Sequence, residues 1–232
     1  MHWLRRLIQC LMSSDKLNRA VERLNVILPI VRAQKACSPE IKQLHRDFLW
    51  SFVRQEKSIA LQQLAFQKGG GPEAIKVLIK NGMVTVDANG DLTGAYPFSV
   101  GEREHVVEVN GHKVYAMCAL DALAIAPMFQ EATCIISRCH LTAEPLKIHM
   151  LADNIQHLDK VLNVRFGIAW DAMDASLSCA DSLCREMVFL RDHQVAQKWL
   201  ADDSMDREVF TLEEAVEFAN RFFSPLLAED VE

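Results

Sequence analysis

Val114-Tyr115-Ala116-Met117-Cys118-Ala119-Leu120-Asp121-Ala122-Leu123 is the stretch on which the reading of this chain turns. It reads as a strand that ends at Cys118 and passes at once into a helix. The strand side is apolar and aromatic. The helix side, Ala119 to about Met128, is built from Ala, Leu and Ile, with Pro127 marking its end. Cys118 and Asp121 stand three apart at the helix start, so their side chains share one face. A thiol there points into the positive end of the helix dipole, which favours the thiolate. A carboxyl group one turn on can hold or deliver a proton. A soft nucleophile beside a proton source predicts chemistry at this junction.

Working outward, strands flank the junction on both sides. His105-Val106-Val107-Glu108-Val109 and Lys113-Val114-Tyr115 surround Asn110-Gly111, the strongest short hairpin signal in the chain. Beyond the helix, 133–138 and 145–150 read as paired strands, 154–162 as a short helix and 164–170 as another strand. Cys184 leads into a strand-like Met187-Val188-Phe189-Leu190, and 194–200 is helical. Thr211-Leu212-Glu213-Glu214 is a capping box opening a last helix that stops before Pro225.

Upstream, residues 1–37 carry Leu17, Val21, Leu24, Leu28 and Val31 at helical steps, with Pro29 splitting the run. Ser38-Pro39-Glu40 starts a second helix bearing Leu44, Phe48 and Leu49, and a short one covers 58–66. After Gly69-Gly70-Gly71-Pro72, a helix over 73–80 precedes two short strands around Asn89-Gly90. Helix, helix, hairpin predicts a winged helix-turn-helix. The second helix offers only Lys76 and Lys80 as basic residues, so a structural rather than a groove-reading role is expected. The glycine run lacks a following Lys-Ser/Thr pair and reads as a linker. The expected fold class is α+β: a helical, winged N-terminal domain over 1–100 and a mixed sheet-and-helix catalytic domain over 101–232.

Composition narrows the function classes. A net charge of −6 over 232 residues argues against nucleic-acid binding by broad electrostatics. Seven cysteines without an even framework argue against a disulfide-stapled secreted protein and fit a reducing cytoplasm. The basic, apolar start is broken by Arg5, Arg6 and Gln9 and reads as an amphipathic helix. No run approaches transmembrane length. Cys134 with Cys139 and Cys179 with Cys184 allow a four-cysteine zinc site, but Cys134 reads as a core filler in a buried strand. His105, His140, His149, His157 and His193 are the histidines that a cysteine hydrolase would draw on to activate Cys118.

The block 115–123, followed by Ile136-Ser137-Arg138-Cys139 and Pro145-Leu146, resembles the organomercurial (alkylmercury) lyase family. Asp181-Ser182-Leu183-Cys184, running into Met187-Val188-Phe189, falls where that family has its second active-site cysteine. Cys179, five residues earlier, is the alternative. The hairpin 87–94 is similar to the family's winged region. The resemblance runs from about residue 58 to the C-terminus and leaves residues 1–57 without a role. Met117 stands where an aromatic residue is expected, and Arg185 where many members have a second cysteine.

The resemblance implies protonolytic cleavage of a carbon–mercury bond to a hydrocarbon and Hg(II), an activity of mercury resistance and detoxification. Mercury is a soft metal suited to thiolates. Cys118 and Cys184 would bind the mercury, and Asp121 would protonate the carbon and then help hold Hg(II). Cys139 matches a structural cysteine and is assigned to the core. No resident cofactor is implied, only excess cellular thiol. The partners implied are a small organomercurial, low-molecular-weight thiols and a mercuric reductase, with neither nucleic acid nor membrane. The competing expectation is a non-catalytic soft-metal sensor that uses Cys118 and Cys184 with the winged domain. Asp121 discriminates between them, since a pure thiolate binder does not need it.

Overall fold

The structure, a computed structural model, describes residues 2–54, 71–201 and 205–228, with side chains from residue 14 onward. The helix expected over 58–66 lies outside the described residues. The N-terminal helices are α1 (His2–Ile27), α2 (Ile30–Lys35), α3 (Pro39–Val53) and α4 (Gly71–Lys80). Pro29 separates α1 from α2, because it lacks the N–H that would continue the ladder. Ser38 caps α3 by accepting the Ile41 N–H, with Pro39 at the first turn.

An eight-stranded antiparallel sheet follows. Its strands are β1 (Val84–Val86), β2 (Leu92–Ala95), β3 (Phe98–Ser99), β4 (His105–Val109), β5 (His112–Ala116), β6 (Ala132–Arg138), β7 (Pro145–Leu151) and β8 (Asn154–Gln156). Their spatial order is β1-β2-β3-β5-β4-β6-β7-β8. The β4–β5 hairpin turns on Asn110 and Gly111, both at positive φ (49° and 80°), the backbone that an Asn-Gly pair supplies at least cost. A second sheet sets β9 (Arg165–Ala169) between β10 (Met187–Leu190) and β11 (Arg207–Thr211).

The central helix α5 (Ala119–Phe129) is buried on every side. It packs against strands β4 to β7 of the large sheet, against β10 of the small one, and against the last helix α8 (Leu212–Phe223). A helix with no polar face belongs in a core, and its Ala-rich surface lets the layers approach closely. Pro127 lies inside α5 rather than ending it. The helix runs two residues further, and Gln130 caps it in the left-handed region while its side-chain amide donates to the Pro127 carbonyl.

Two further expectations change. The segment 154–162 is not one helix: β8 pairs with β7 through Leu151 and Asn154, and a four-residue helix, α6 (Leu158–Val161), follows. Cys134 is half-buried rather than a core filler. Alternation along β6 turns Thr133, Ile135 and Ser137 inward and leaves Cys134 on the other face, opposite His149. Strands β3 and β11 were not anticipated. The helix over 194–200 is present as α7 (His193–Leu200), and the capping box at Thr211 and Glu214 is formed in full. Among the described residues, no helix is long and apolar enough to cross a membrane.

Candidate active site

The β5–α5 junction fixes the first two groups. Cys118 has an extended backbone (φ −152°, ψ −178°) and acts as the N-cap of α5: its sulfur accepts the Asp121 N–H at 3.4 Å. The same sulfur donates its proton to Asp121 Oδ2 at 2.7 Å. The third group arrives from far along the chain. Cys184 sits in a 3-10 turn (Leu183–Glu186) that feeds β10, and β10 packs against α5. Its sulfur lies 4.0 Å from Asp121 Oδ2. The Cys118 and Cys184 sulfurs and an Asp121 oxygen all lie within 4.8 Å of one another, and all three residues are buried.

Three neighbours complete the surroundings. The Met187 thioether is 3.5 Å from the Cys118 sulfur. Cys179, in the preceding 3-10 turn, has its sulfur 3.8 Å from that of Cys184. Tyr96 is buried beside them. Burial first, then the nearby Cys184, Cys179 and Asp121, push its phenol above its ordinary value and keep it protonated. A cavity of about 280 Å³ opens next to Cys184 and is lined by Arg103, His105, Met117, His140 and Phe189 among others.

Burial governs the protonation states. It pushes the Cys118 thiol up to about 12, against a smaller downward pull from the Cys184 thiol. Burial therefore outweighs the helix dipole at Cys118. A helix terminus is worth about 0.3–1 kcal/mol at an exposed site, whereas full burial displaces a pKa by up to about 3–5, at about 1.4 kcal/mol each. Without a metal, Cys118 is a thiol. The Cys184 thiol is also raised, first by its hydrogen bonds with the Cys118 and Cys179 sulfurs and then by burial. Burial raises Asp121 to about 7, with the Cys118 hydrogen bonds opposing it. The carboxyl group thus holds its proton into the neutral range. Its second oxygen, Oδ1, is buried without a hydrogen-bond partner among the described residues.

The other singled-out residues lie apart from this cluster. Cys139 is fully buried in a satellite core with Val188, Leu190 and Trp199, and its sulfur accepts the Arg191 N–H at 3.4 Å. Cys134 and Cys139 do not join Cys179 and Cys184 in a metal-capable group: among the described residues that group is Cys118, Asp121 and Cys184. The Cys118 hydrogen bonds go to Asp121, Met187 and Cys184 rather than to a histidine. His105 bonds Ser137 at 2.8 Å, and burial lowers it to about 4; His140, His149, His157 and His193 are exposed. The arrangement is a pair of soft ligands with a protonated carboxyl between them, and among the described residues no histidine is hydrogen-bonded to Cys118 as the base of a cysteine hydrolase would be. Tyr96 carries no sequence signal that places it here, and Met187 lies in the Cys184 block, but nothing in the sequence aims its sulfur at Cys118.

A family described as MerB, alkylmercury lyase, matches residues 98–224 of the chain. An alkylmercury lyase of Bacillus cereus is 27% identical over 178 residues, covering 76% of this chain and 79% of the relative. One of Streptomyces lividans is 23% identical over 162 residues, covering 68% and 74%. Among solved structures, the mercury-bound form of MerB2 superposes with a TM-score of 0.64 at 18% identity, covering 86% of this chain and 98% of that one. At that identity the superposition speaks for the fold.

Proposed function

The chain belongs to the alkylmercury lyase family, whose members are carbon–mercury lyases, and we propose that Cys118, Asp121 and Cys184 are the residues with which it cleaves the carbon–mercury bond. One observation carries the assignment: two buried sulfurs and a carboxyl oxygen lie within 4.8 Å of one another, close enough to meet one substrate atom. The substrate is a small organomercurial, in keeping with a cavity of only about 280 Å³ beside Cys184.

The steps balance on these groups. R–Hg–X exchanges X for Cys118, and the thiol proton leaves with X. Because the resting group is a thiol, this exchange is driven by the affinity of soft mercury for sulfur rather than by a preformed thiolate. Cys184 then adds to the same mercury. Asp121 gives its proton to the carbon, R–H departs, and the Cys184 proton, 4.0 Å from Asp121 Oδ2, restores the acid. The sum is R–Hg–X plus two thiols to R–H, HX and a mercury(II) dithiolate. The two sulfurs donate electron density to the metal and make the bound carbon more basic.

In this reading the protein needs no resident cofactor. Low-molecular-weight thiols regenerate it, and a mercuric reductase takes the metal onward. A reducing cytoplasm suits a chain whose six cysteines with described side chains are all free. We further assign α1 to α4 and the β1–β2 hairpin to a winged N-terminal domain over 1–100, and 101–232 to the catalytic domain. The order of α4 and the hairpin supports the winged reading, while β2–β3 and β3–β5 pairing carries the large sheet across residue 100.

The test is release of benzene and Hg(II) from phenylmercury in excess thiol, wild type against Cys118→Ala and Cys184→Ala. Turnover by the wild type and loss in both variants is the expected result. Tight Hg(II) binding by the wild type without benzene would instead favour a non-catalytic soft-metal sensor. Full turnover by Cys118→Ala would remove Cys118 from the mechanism.

A further inference from the structure

We propose that Cys179 is a third mercury-handling thiol of this site, which takes the product Hg(II) from Cys118 and holds it with Cys184 until an external thiol removes it. The proposal rests on the lyase reading above. Cys179 and Cys184 lie on consecutive 3-10 turns, Cys179–Asp181 and Leu183–Glu186, and these turns bring their sulfurs to 3.8 Å. That contact is shorter than the 4.8 Å limit enclosing the cleavage groups. A mercury bound to Cys184 is therefore within reach of a further soft donor. Asp121 Oδ1, in the same cluster, is buried with no hydrogen-bond partner among the described residues.

All three residues are buried, Cys118 at 1%, Cys184 at 4% and Cys179 at 6% exposure, and of the three Cys184 lines the neighbouring cavity. Arg185 and Arg103 both approach Asp181, at 3.7 and 3.6 Å, and hold the turn between the two cysteines from outside. The transfer balances without an oxidant. Hg(Cys118)(Cys184) and the Cys179 thiol give Hg(Cys184)(Cys179) and the Cys118 thiol. One Hg–S bond forms, one breaks, and the Cys179 proton ends on Cys118. The product state restores the Cys118 thiol, whose hydrogen bond to Asp121 Oδ2 spans 2.7 Å. Metal release and resetting of the acid–thiol pair then become one event.

The experiment uses inorganic Hg(II) as the probe and compares Cys118→Ser with Cys118→Ser/Cys179→Ser. Serine places a hydroxyl oxygen where the Cys118 sulfur accepts the Asp121 N–H, so a cap acceptor for α5 is kept. The single variant is expected to keep two-sulfur coordination by X-ray absorption. The double variant should bind Hg(II) at least about tenfold to hundredfold more weakly, because loss even of outer groups around a metal costs that much. In the wild-type background, Cys179→Ser should slow transfer of Hg(II) to excess glutathione. Cys179→Ala, which differs in packing, should slow it equally, and melting curves of both variants identify a folding defect. Equal affinities in the single and double variants, or one-sulfur coordination in Cys118→Ser, would overturn the proposal. Benzene release by the wild type is scored separately. Its absence sinks the lyase reading, whereas its presence with unchanged Hg(II) handling sinks only the role of Cys179.

Discussion

Replacing Asp121 with Asn removes the transferable proton while keeping the shape of the side chain. A positioned proton donor contributes about 10²–10⁴-fold to a rate, or about 3–5 kcal/mol of barrier. Single-turnover release of benzene from phenylmercury should fall by that factor in Asp121→Asn, while Hg(II) binding through Cys118 and Cys184 persists. The same carboxyl group leaves a mark on stability. Its pKa rises from 3.8 in the unfolded chain to about 7 in the folded one through burial. The folded state therefore holds the extra proton between those values. The stability this group confers is fully present below pH 3.8 and is lost as pH rises through about 7. The loss is on the order of a few kcal/mol, and at about 2–4 °C per kcal/mol for a chain of this size it amounts to roughly 10 °C in melting temperature. Asn does not titrate, so the wild type should lose that much relative to the variant between about pH 4 and pH 8. The wild-type cleavage rate should likewise fall above about pH 7 as the acid empties. Cleavage by Asp121→Asn within about threefold of wild type, or parallel melting profiles of the two proteins across that range, would refute a buried acid as proton donor.

Other substitutions probe the frame that holds the site. Cys139→Ala should cost about 1–3 kcal/mol, since it empties a place in the satellite core and takes the acceptor from the Arg191 N–H; thermal melting would register it, with cleavage per folded molecule little changed. Gly94→Ala should destabilise by about 1–3 kcal/mol, because a Cβ there meets the Phe98 carbonyl oxygen and the Met117 methyl. Urea denaturation reads that cost, and a change in cleavage rate would report the push on Met117 beside Cys118. Thr211→Ala removes one half of the capping box with Glu214 and should cost about 1 kcal/mol in the same denaturation assay, without altering chemistry.

Much of the architecture was legible because its signals are local. Asn110-Gly111 fixes a hairpin through two residues that tolerate positive φ. Pro29, Ser38 and Thr211 mark helix boundaries through groups within one turn of themselves. The misreadings come where local signals run out. Strand β3 has two residues and no periodicity to detect. Asn154–Gln156 is a strand because β7 offers it an edge, a reason that lies outside its own sequence. Strand β11 begins Arg207-Glu208 and buries Phe210 fully, so it carries little of the apolar alternation that announces a strand.

The site divides in the same way. The sequence by itself determined that Cys118 and Asp121 face each other, because a separation of three at a helix start leaves their side chains adjacent. Only the tertiary structure decided that Cys184, 63 residues beyond Asp121, closes on that pair, that Cys179 and Met187 bring further sulfur, and that Tyr96 lines the same cluster. It also reversed the state of the thiol. The dipole at the start of α5 is a property of one helix, but desolvation depends on every layer packed around it, and those layers raise Cys118 to about 12 and Asp121 to about 7.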